Sequence, residues 1–166
     1  MRPLWSQVDE TQAVTDVVDA VERAYRAQAE RLWRALVLFS GDRELASDAV
    51  SEAFAQAMAR GSGIHDLDRW VWRAAFNIAR GDLKRRARRS AELPKLPADV
   101  PIETVDLVRA LAKLSSKQRA SVVLHHYAGY STRETARIIG STAGAVGMHL
   151  DRGRKRLREL LGEEDA

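Results

Sequence analysis

Apolar residues recur along most of the chain at intervals of three and four, and this spacing restricts the chain to a helical fold. Three such stripes lie in the first half, at 14–39, 45–58 and 70–83, and they are separated by Gly41-Asp42 and by Gly61-Ser62-Gly63. The strict alternation of apolar and polar residues that marks half-buried strands is scarce throughout the chain. The fold class predicted from this pattern is therefore all-α.

Residues 90–106 interrupt the helical pattern. They contain Pro94, Pro97 and Pro101 together with four acidic side chains, and few apolar side chains that would order the segment. Helical stripes resume after this segment. The sequence therefore predicts two small helical domains, residues 14–89 and 107–162, joined by a flexible, acidic, proline-containing linker.

Helix ends are indicated by glycines and by short polar side chains. Asp68 is the predicted cap of the third helix, which runs to Arg89. In the second domain, Ser115-Ser116 and Ser131 predict two helix starts, and Gly129 predicts a break between them. These signals divide the second domain into several short helices.

The segment 131–157 has the spacing of a helix-turn-helix, with Gly140 ending the first helix. Small side chains at Ala136 and Gly140 are expected to let the two helices approach closely. At about 100° per residue, one arc of the last helix is expected to face inward. That arc holds Val146, Leu150, Gly153, Leu157 and Leu160.

The opposite side of the last helix is termed the recognition face, because its shape and charge suit the major groove of DNA. Arg152 is placed to reach guanine, whereas Arg154 and Arg158 suit phosphates. A basic amphipathic helix that merely closes a bundle is the alternative. The recognition face comprises Gly144, Ala145, Met148, His149, Arg152, Lys155 and Arg156.

The third helix carries a second polar surface, termed the basic stripe, which suits single-stranded DNA. Trp70 and Phe76 flank it, and each ring either stacks on a base or packs in the core, so both alternatives stay open. Trp72 points away from the stripe and is predicted to be a core residue. The basic stripe comprises Arg69, Arg73, Asn77, Arg80 and Lys84.

The charge distribution agrees with two nucleic-acid surfaces. The net charge is +4 and the pI is about 9.8, and residues 61–90 and 107–166 each carry a net charge of +5. Two separate basic segments favour contact with nucleic acid at two places, although solvated helix faces give the same pattern. The chain has no cysteine, which excludes disulfides, thiolate metal sites and a thiol redox switch, and fits a reducing compartment.

Other classes of protein find little support in the sequence. Residues 1–12 hold no apolar signal core, and the longest apolar run, Ala35 to Phe39, is far too short to span a membrane. The sequence therefore predicts a cytoplasmic chain that is neither exported nor inserted in a membrane. Adjacent His125 and His126 point about 100° apart on a helix, so a metal hydrolase is disfavoured. No metal site and no cofactor site is predicted.

The segments 41–54 and 69–86 resemble the first conserved domain of bacterial extracytoplasmic-function (ECF, group IV) sigma factors of the sigma-70 superfamily. The segments 111–119, 130–140 and 146–157 resemble the second conserved domain of that family, in the same order and on the other side of a linker. The resemblance implies a dissociable subunit of bacterial RNA polymerase that directs transcription initiation at specific promoters and has no catalysis of its own.

The resemblance also implies roles for particular residues. It assigns contacts with the clamp of core RNA polymerase to Asp48, Glu52 and Phe54. It assigns the non-template strand of the minus-ten promoter element to the basic stripe and its flanking rings, and a flipped base of that element to the loop 61–67. The linker would follow the RNA exit path, and the helix-turn-helix would read the minus-thirty-five element. An anti-sigma factor is the usual regulator in this family, and Thr135 stands where the family usually has isoleucine.

Opening of a promoter is expected to need the polymerase. Unstacking about ten base steps costs on the order of 14 kcal/mol, at roughly 1.4 kcal/mol per step. Stacking of one aromatic ring on a base contributes only about 1–3 kcal/mol of stabilisation. The free chain is therefore expected to bind little specific duplex and to melt none.

Two other functions remain as alternatives. A stand-alone helix-turn-helix regulator, independent of core polymerase, would have a similar second domain but would leave the first domain unexplained. An RNA-binding scaffold is supported by charge alone.

Overall fold

The computed structural model describes residues 4–89 and 101–162, and within these ranges it contains helices and no strand. The all-α prediction is confirmed. A single 3₁₀ turn at Gly61–Gly63 and a short π-helical segment at Val123–Tyr127 complete the regular structure. The α-helices are α1 (Leu4–Ser40), α2 (Arg43–Arg60), α3 (Leu67–Arg89), α4 (Ile102–Ala112), α5 (Ser116–Val122), α6 (Thr132–Ile139) and α7 (Ala143–Leu161).

Side-chain caps start the helices of the second half where the sequence predicts them. Ser115 Oγ accepts a hydrogen bond from the Gln118 backbone N–H at 3.2 Å, and Gln118 Oε1 accepts one from the Ser115 N–H at 3.3 Å. Ser131 and Glu134 form the same reciprocal box at the start of α6, at 3.1 and 2.8 Å. Each box satisfies two backbone donors that the first turn of a helix would otherwise leave unpaired.

Two predicted helix starts differ from the structure. The cap of α3 is Asp66, whose Oδ1 accepts from the Arg69 N–H at 3.1 Å, so the prediction of Asp68 as the cap is wrong. Asp68 lies inside the first turn, where its charge favours the helix N-terminus. Helix α4 begins at Ile102, inside the segment predicted as linker, because Pro101 suits a helix start. The rest of that linker, 90–100, lies outside the described residues.

Gly140 ends α6 as predicted. Its φ is +67°, a left-handed conformation that side chains with a Cβ rarely adopt. A Cβ built there meets nothing within 4 Å, so the expected close approach of two helices does not occur at this residue. The close approach lies instead at Gly153, where a Cβ would stand 2.9 Å from Val122 Cγ2.

The N-terminal helical group (α1–α3) and the C-terminal helical group (α4–α7) pack on one continuous apolar core. Trp72 lies at the junction, and its exposed fraction is 0%. Its Nε1 donates to Gln28 Oε1 at 3.1 Å, and its ring meets Tyr130 edge-on at a centroid distance of 5.2 Å. The prediction that Trp72 is a core residue is confirmed.

Thr135 is fully buried in α6, and its Oγ1 has no hydrogen-bond partner among the described residues. A buried hydroxyl without a partner retains its desolvation cost, and valine has nearly the same shape without the hydroxyl. We expect Thr135→Val to raise the free energy of unfolding by about 1 kcal/mol, measured by urea denaturation followed by circular dichroism. Half-buried Thr132 gives the control, because Thr132→Val should give no such gain. A loss of stability in Thr135→Val would mean that the hydroxyl is paired in solution.

Candidate nucleic-acid interface

Helix α7 presents the recognition face on the side away from the core. Val146 and Leu150 are buried against the rest of the C-terminal helical group, and Gly153 is buried on the same side. The structure leaves most of the predicted face accessible, with Ala145 and His149 half-buried. The exposed members are Gly144, Met148, Arg152, Lys155 and Arg156.

The charges on α7 are partly neutralised by neighbours on the same helix. Arg154 donates to Asp151 Oδ1 at 2.7 Å, and Arg156 donates to Glu159 Oε2 at 3.2 Å. Burial, followed by the positive charges of Lys117 and Arg152, lowers the pKa of His149, so its imidazole is neutral at pH 7. The recognition face therefore combines small side chains near the helix start with guanidinium groups further along, a pattern suited to base edges and phosphates.

The basic stripe runs along α3 as the helical projection predicts, but its two edges differ in exposure. Arg73, Asn77 and Lys84 are exposed, whereas Arg69 and Arg80 are half-buried against the C-terminal helical group. The exposed members are spaced so that they follow one line on the helix. This line is the accessible part of the stripe.

The two rings that flank the basic stripe lie in different environments. Phe76 is fully buried, 5.4 Å from Phe39 and 6.2 Å from Trp72 between ring centroids. The alternative in which Phe76 stacks on a base is therefore wrong, because its ring belongs to the core of the N-terminal helical group. Trp70 is half-buried, and the guanidinium of Arg60 lies 6.0 Å from its ring. Only Trp70 keeps a ring edge near the stripe.

Helix α6 contacts the half-buried members of the basic stripe. Arg80 Nη1 donates to the Ile139 carbonyl at 3.1 Å, and Arg69 Nη2 lies 3.9 Å from Glu134 Oε1. Hydrogen bonds from Ser131 lower the pKa of Glu134, so this carboxylate is ionised at neutral pH. These contacts could not be predicted from the sequence, because no local signal indicates which carbonyl or carboxylate a distant helix brings to an arginine.

An open recess of about 750 Å³ lies beside the loop that precedes α3. His65 and Asp66 line it from the loop, Leu67 lines it from the start of α3, and Arg23 lines it from α1 with small alanine side chains around it. The recess adjoins Arg69 of the basic stripe. An arrangement of this kind has room for a planar base beside a cation.

Helix α2 places the predicted polymerase contacts on two different sides. Asp48 and Glu52 are exposed one turn apart. Phe54 is only 6% exposed and packs edge-on against Tyr25 at a centroid distance of 5.0 Å. Two residues along a helix turn a side chain by about 200°, so Phe54 lies on the core side of α2 and not on the face that carries Asp48 and Glu52.

The described residues hold no group of three or more histidine, cysteine, aspartate or glutamate side chains able to bind a metal ion. The rings of His125 and His126 stand 5.0 Å apart, and His125 Nδ1 lies 2.7 Å from the Tyr130 carbonyl oxygen. None of the helices within the described ranges is both long and apolar enough to cross a bilayer.

A helical fold that ends in a helix-turn-helix with an exposed basic face defines a DNA-binding protein. The family model "Sigma-70, region 4" matches residues 104–157, which span α4 to most of α7. The ECF RNA polymerase sigma factor SigM of Mycobacterium tuberculosis is 35% identical over 153 residues, covering 86% of this chain and 78% of that protein. The RNA polymerase sigma-E factor of Streptomyces antibioticus is 35% identical over 133 residues, covering 72% of each. The chain belongs to the ECF RNA polymerase sigma factors.

Solved structures share the fold of this chain. The sigma factor RpoE of Bartonella quintana, solved in complex with the anti-sigma factor NepR, gives a TM-score of 0.72 at 23% identity, covering 87% of this chain and 98% of that one. CnrH, solved in complex with the cytosolic domain of CnrY, gives 0.71 at 25% identity, covering 93% and 96%. Sigma factors are not enzymes; they bind core RNA polymerase and direct promoter-specific transcription initiation. This is the function of the chain.

Proposed function

We propose that the chain divides promoter reading between two domains, predicted at residues 14–89 and 107–162, the second of which begins at Ile102 in the structure, with the segment between α3 and α4 as the linker. The second domain reads the minus-thirty-five element through the recognition face of α7. The observation that carries this proposal is the exposure of Arg152 and its neighbours on one side of α7 while Val146 and Leu150 are buried on the other. A helix with this division is shaped to enter a major groove without losing its packing.

The first domain, in this proposal, holds the single-stranded minus-ten element on the basic stripe. Exposed Arg73 and Lys84 neutralise phosphates, and Asn77 pairs with a base edge. Trp70 supplies a ring at one edge, and the recess beside the loop 61–67 receives a flipped base. The members of the proposed minus-ten site are Arg69, Trp70, Arg73, Asn77, Arg80 and Lys84.

The contact with core RNA polymerase is proposed for the exposed acidic side of α2, through Asp48 and Glu52. Core polymerase and promoter DNA are cytoplasmic in bacteria, so we propose a cytoplasmic location. We also propose an anti-sigma factor as regulator, which would cover the two basic surfaces. The sigma factor RpoE of Bartonella quintana, whose fold is similar, was solved in complex with the anti-sigma factor NepR, and this supports a regulator of this kind.

Transcription with purified components tests the proposed minus-ten site. The chain is mixed with bacterial core polymerase and fragmented genomic DNA from its source, and transcript starts are sequenced to give the promoter motif. On a promoter found in this way, Asn77→Ala should keep core binding but lower open-complex yield, measured by permanganate reactivity. Lys113→Ala, an exposed cation outside the proposed sites, is the control and should behave as wild type. Equal yields in both variants would remove Asn77 from the site.

Arg152→Ala should weaken the minus-thirty-five contact in a sequence-dependent way, by about 1–3 kcal/mol if the guanidinium pairs bidentately with guanine. Arg158 provides the contrast, because a phosphate contact should lose affinity equally on all promoters. Transcription from a library of minus-thirty-five sequences measures both effects. A uniform loss for Arg152→Ala would reassign Arg152 to the phosphates.

A further inference from the structure

The start of α7 carries no side chain that can hydrogen-bond a base edge. From Ala143 to Met148 the helix consists of alanine, glycine, valine and methionine. The first outward guanidinium, that of Arg152, lies one turn beyond Met148. In a helix-turn-helix, however, it is the N-terminal part of the recognition helix that contacts base edges. Any sequence reading by this part of α7 therefore depends on apolar contact.

Met148 is the large side chain that this segment presents outward. It is 52% exposed, whereas Val146 and Leu150, two residues before and after it, are buried. Two residues along a helix turn a side chain by about 200°, so Met148 lies opposite the packed side of α7. Gly144, one turn earlier on the same side, leaves open space, because a Cβ built there meets nothing within 4 Å. Met148 is thus an exposed apolar group beside a gap in the layer of side chains.

The polar side chains that flank this segment are already engaged within the helix. Thr142 Oγ1 caps α7 by accepting a backbone N–H at 3.1 Å. After the segment, Asp151 Oδ1 accepts from the Arg154 guanidinium at 2.7 Å. Apolar contact through Met148 is therefore the readout that this part of the recognition face offers.

The major groove presents one clearly apolar group to such a side chain, the 5-methyl group of thymine. The other groups on the base edges are N–H donors and N or O acceptors, and a thioether sulfur is only a weak acceptor. Methionine is unbranched and polarisable, so its side chain adapts to the position of a methyl group. Contact would remove apolar surface of both groups from water, which is favourable.

We propose that Met148 is a specificity-determining residue of the minus-thirty-five contact and selects thymine by packing on its 5-methyl group. This proposal rests on the proposed function of the recognition face. Gly144 assists by leaving room for the groove to approach the helix backbone, and Arg152 supplies the hydrogen-bonding readout one turn further on. The minus-thirty-five element of this chain should therefore hold at least one thymine, on either strand, whose methyl group is required.

Deoxyuridine in place of thymine tests the methyl contact, because it removes the 5-methyl group and keeps base pairing. Once the minus-thirty-five element has been mapped by transcript sequencing, each of its thymines is replaced in turn. The affinity of the chain bound to core polymerase for each promoter is then measured by fluorescence. Loss of one buried methyl group should weaken binding about fourfold at the contacted thymine.

Variants of Met148 show whether this side chain makes the contact. Met148→Ala should bind the thymine promoter more weakly and lose nothing further with deoxyuridine. Met148→Leu keeps an apolar side chain and should keep the discrimination, whereas Met148→Gln, of similar length with a polar end, should lose it. Because Met148 lies outside the apolar core, all three variants should keep the wild-type thermal midpoint.

Met58→Ala is the matched protein control, since Met58 is 42% exposed on α2 and lies outside the proposed sites. It should keep the full discrimination between thymine and deoxyuridine. Deoxyuridine placed between the two promoter elements is the DNA control and should leave affinity unchanged. Methyl reading by Met148 is overturned by a minus-thirty-five element without thymine on either strand, by equal binding of both bases, or by the same deoxyuridine loss in Met148→Ala as in wild type.

Arg152→Ala separates this proposal from the proposed function of the recognition face. If Arg152→Ala alters the preference among minus-thirty-five sequences while deoxyuridine has no effect on wild type, the recognition face stands and methyl reading is overturned. If neither Arg152→Ala nor Met148→Ala alters that preference, α7 does not read the element, and both proposals are overturned.

Discussion

Trp72→Ala should lower the free energy of unfolding by about 3–5 kcal/mol, the range for truncating a large, fully buried aromatic residue. The side chain has no exposed surface, stacks on Phe76 and packs against Tyr130 across the junction. Truncation also removes the indole N–H that donates to Gln28 Oε1 at 3.1 Å, so this oxygen loses its hydrogen bond. Since small domains are stable by only about 5–15 kcal/mol, this variant should be close to unfolding at 37 °C.

Trp70, two residues earlier on the same helix, is the matched control. It is half-buried and lies beside the basic stripe, so Trp70→Ala should cost about 1 kcal/mol of stability. Its main expected effect is on promoter opening, because a ring next to the stripe is placed to stack on a base. Urea denaturation followed by circular dichroism measures both variants. Equal losses of stability would show that Trp70 is a core residue and would end its proposed role in the minus-ten site.

Local signals in the sequence were enough to place the helices. The periodicity of apolar residues and the caps at Ser115 and Ser131 depend on neighbours within one or two turns, and the structure confirms them. The one misplaced cap, at Asp68, had Asp66 two residues away as an equivalent candidate. Which of the two aspartates caps the helix depends on the path of the preceding loop. The periodicity of apolar residues carries no information about that path.

Local signals in the sequence do not predict the contacts between distant segments. Projection of α3 alone correctly grouped the basic stripe, but it assigned Phe76 to a flank, because burial depends on what α1 brings against it. Arg80 and Ile139 are 59 residues apart, and Arg119 and Phe39 are 80 residues apart. A hydrogen bond from a guanidinium to a carbonyl leaves no pattern in the sequence, since every residue carries a carbonyl. These two hydrogen bonds therefore became visible only in the structure.

Gly153→Ala and Gly147→Ala, both in the middle of α7, should change stability in opposite directions. In an exposed helix, replacing glycine by alanine gains about 0.5–1 kcal/mol, because the unfolded chain loses backbone freedom. A Cβ at Gly147 meets nothing within 4 Å, so Gly147→Ala should show this gain. At Gly153 the same Cβ would stand 2.9 Å from Val122 Cγ2 and 3.7 Å from the Gln118 carbonyl oxygen.

The clash at Gly153 has little room to relax. Val122 is β-branched, buried and restricted at χ1, so its methyl group moves only if α5 moves away from α7. Overpacking of this kind costs about 1–3 kcal/mol. Because the backbone gain is common to both variants, their free energies of unfolding should differ by about this cost. Gly153→Ala combined with Val122→Ala should recover part of the loss, because the smaller side chain makes room for the new methyl group. A Gly153→Ala variant as stable as Gly147→Ala would mean that α5 and α7 are not in contact at this point in solution.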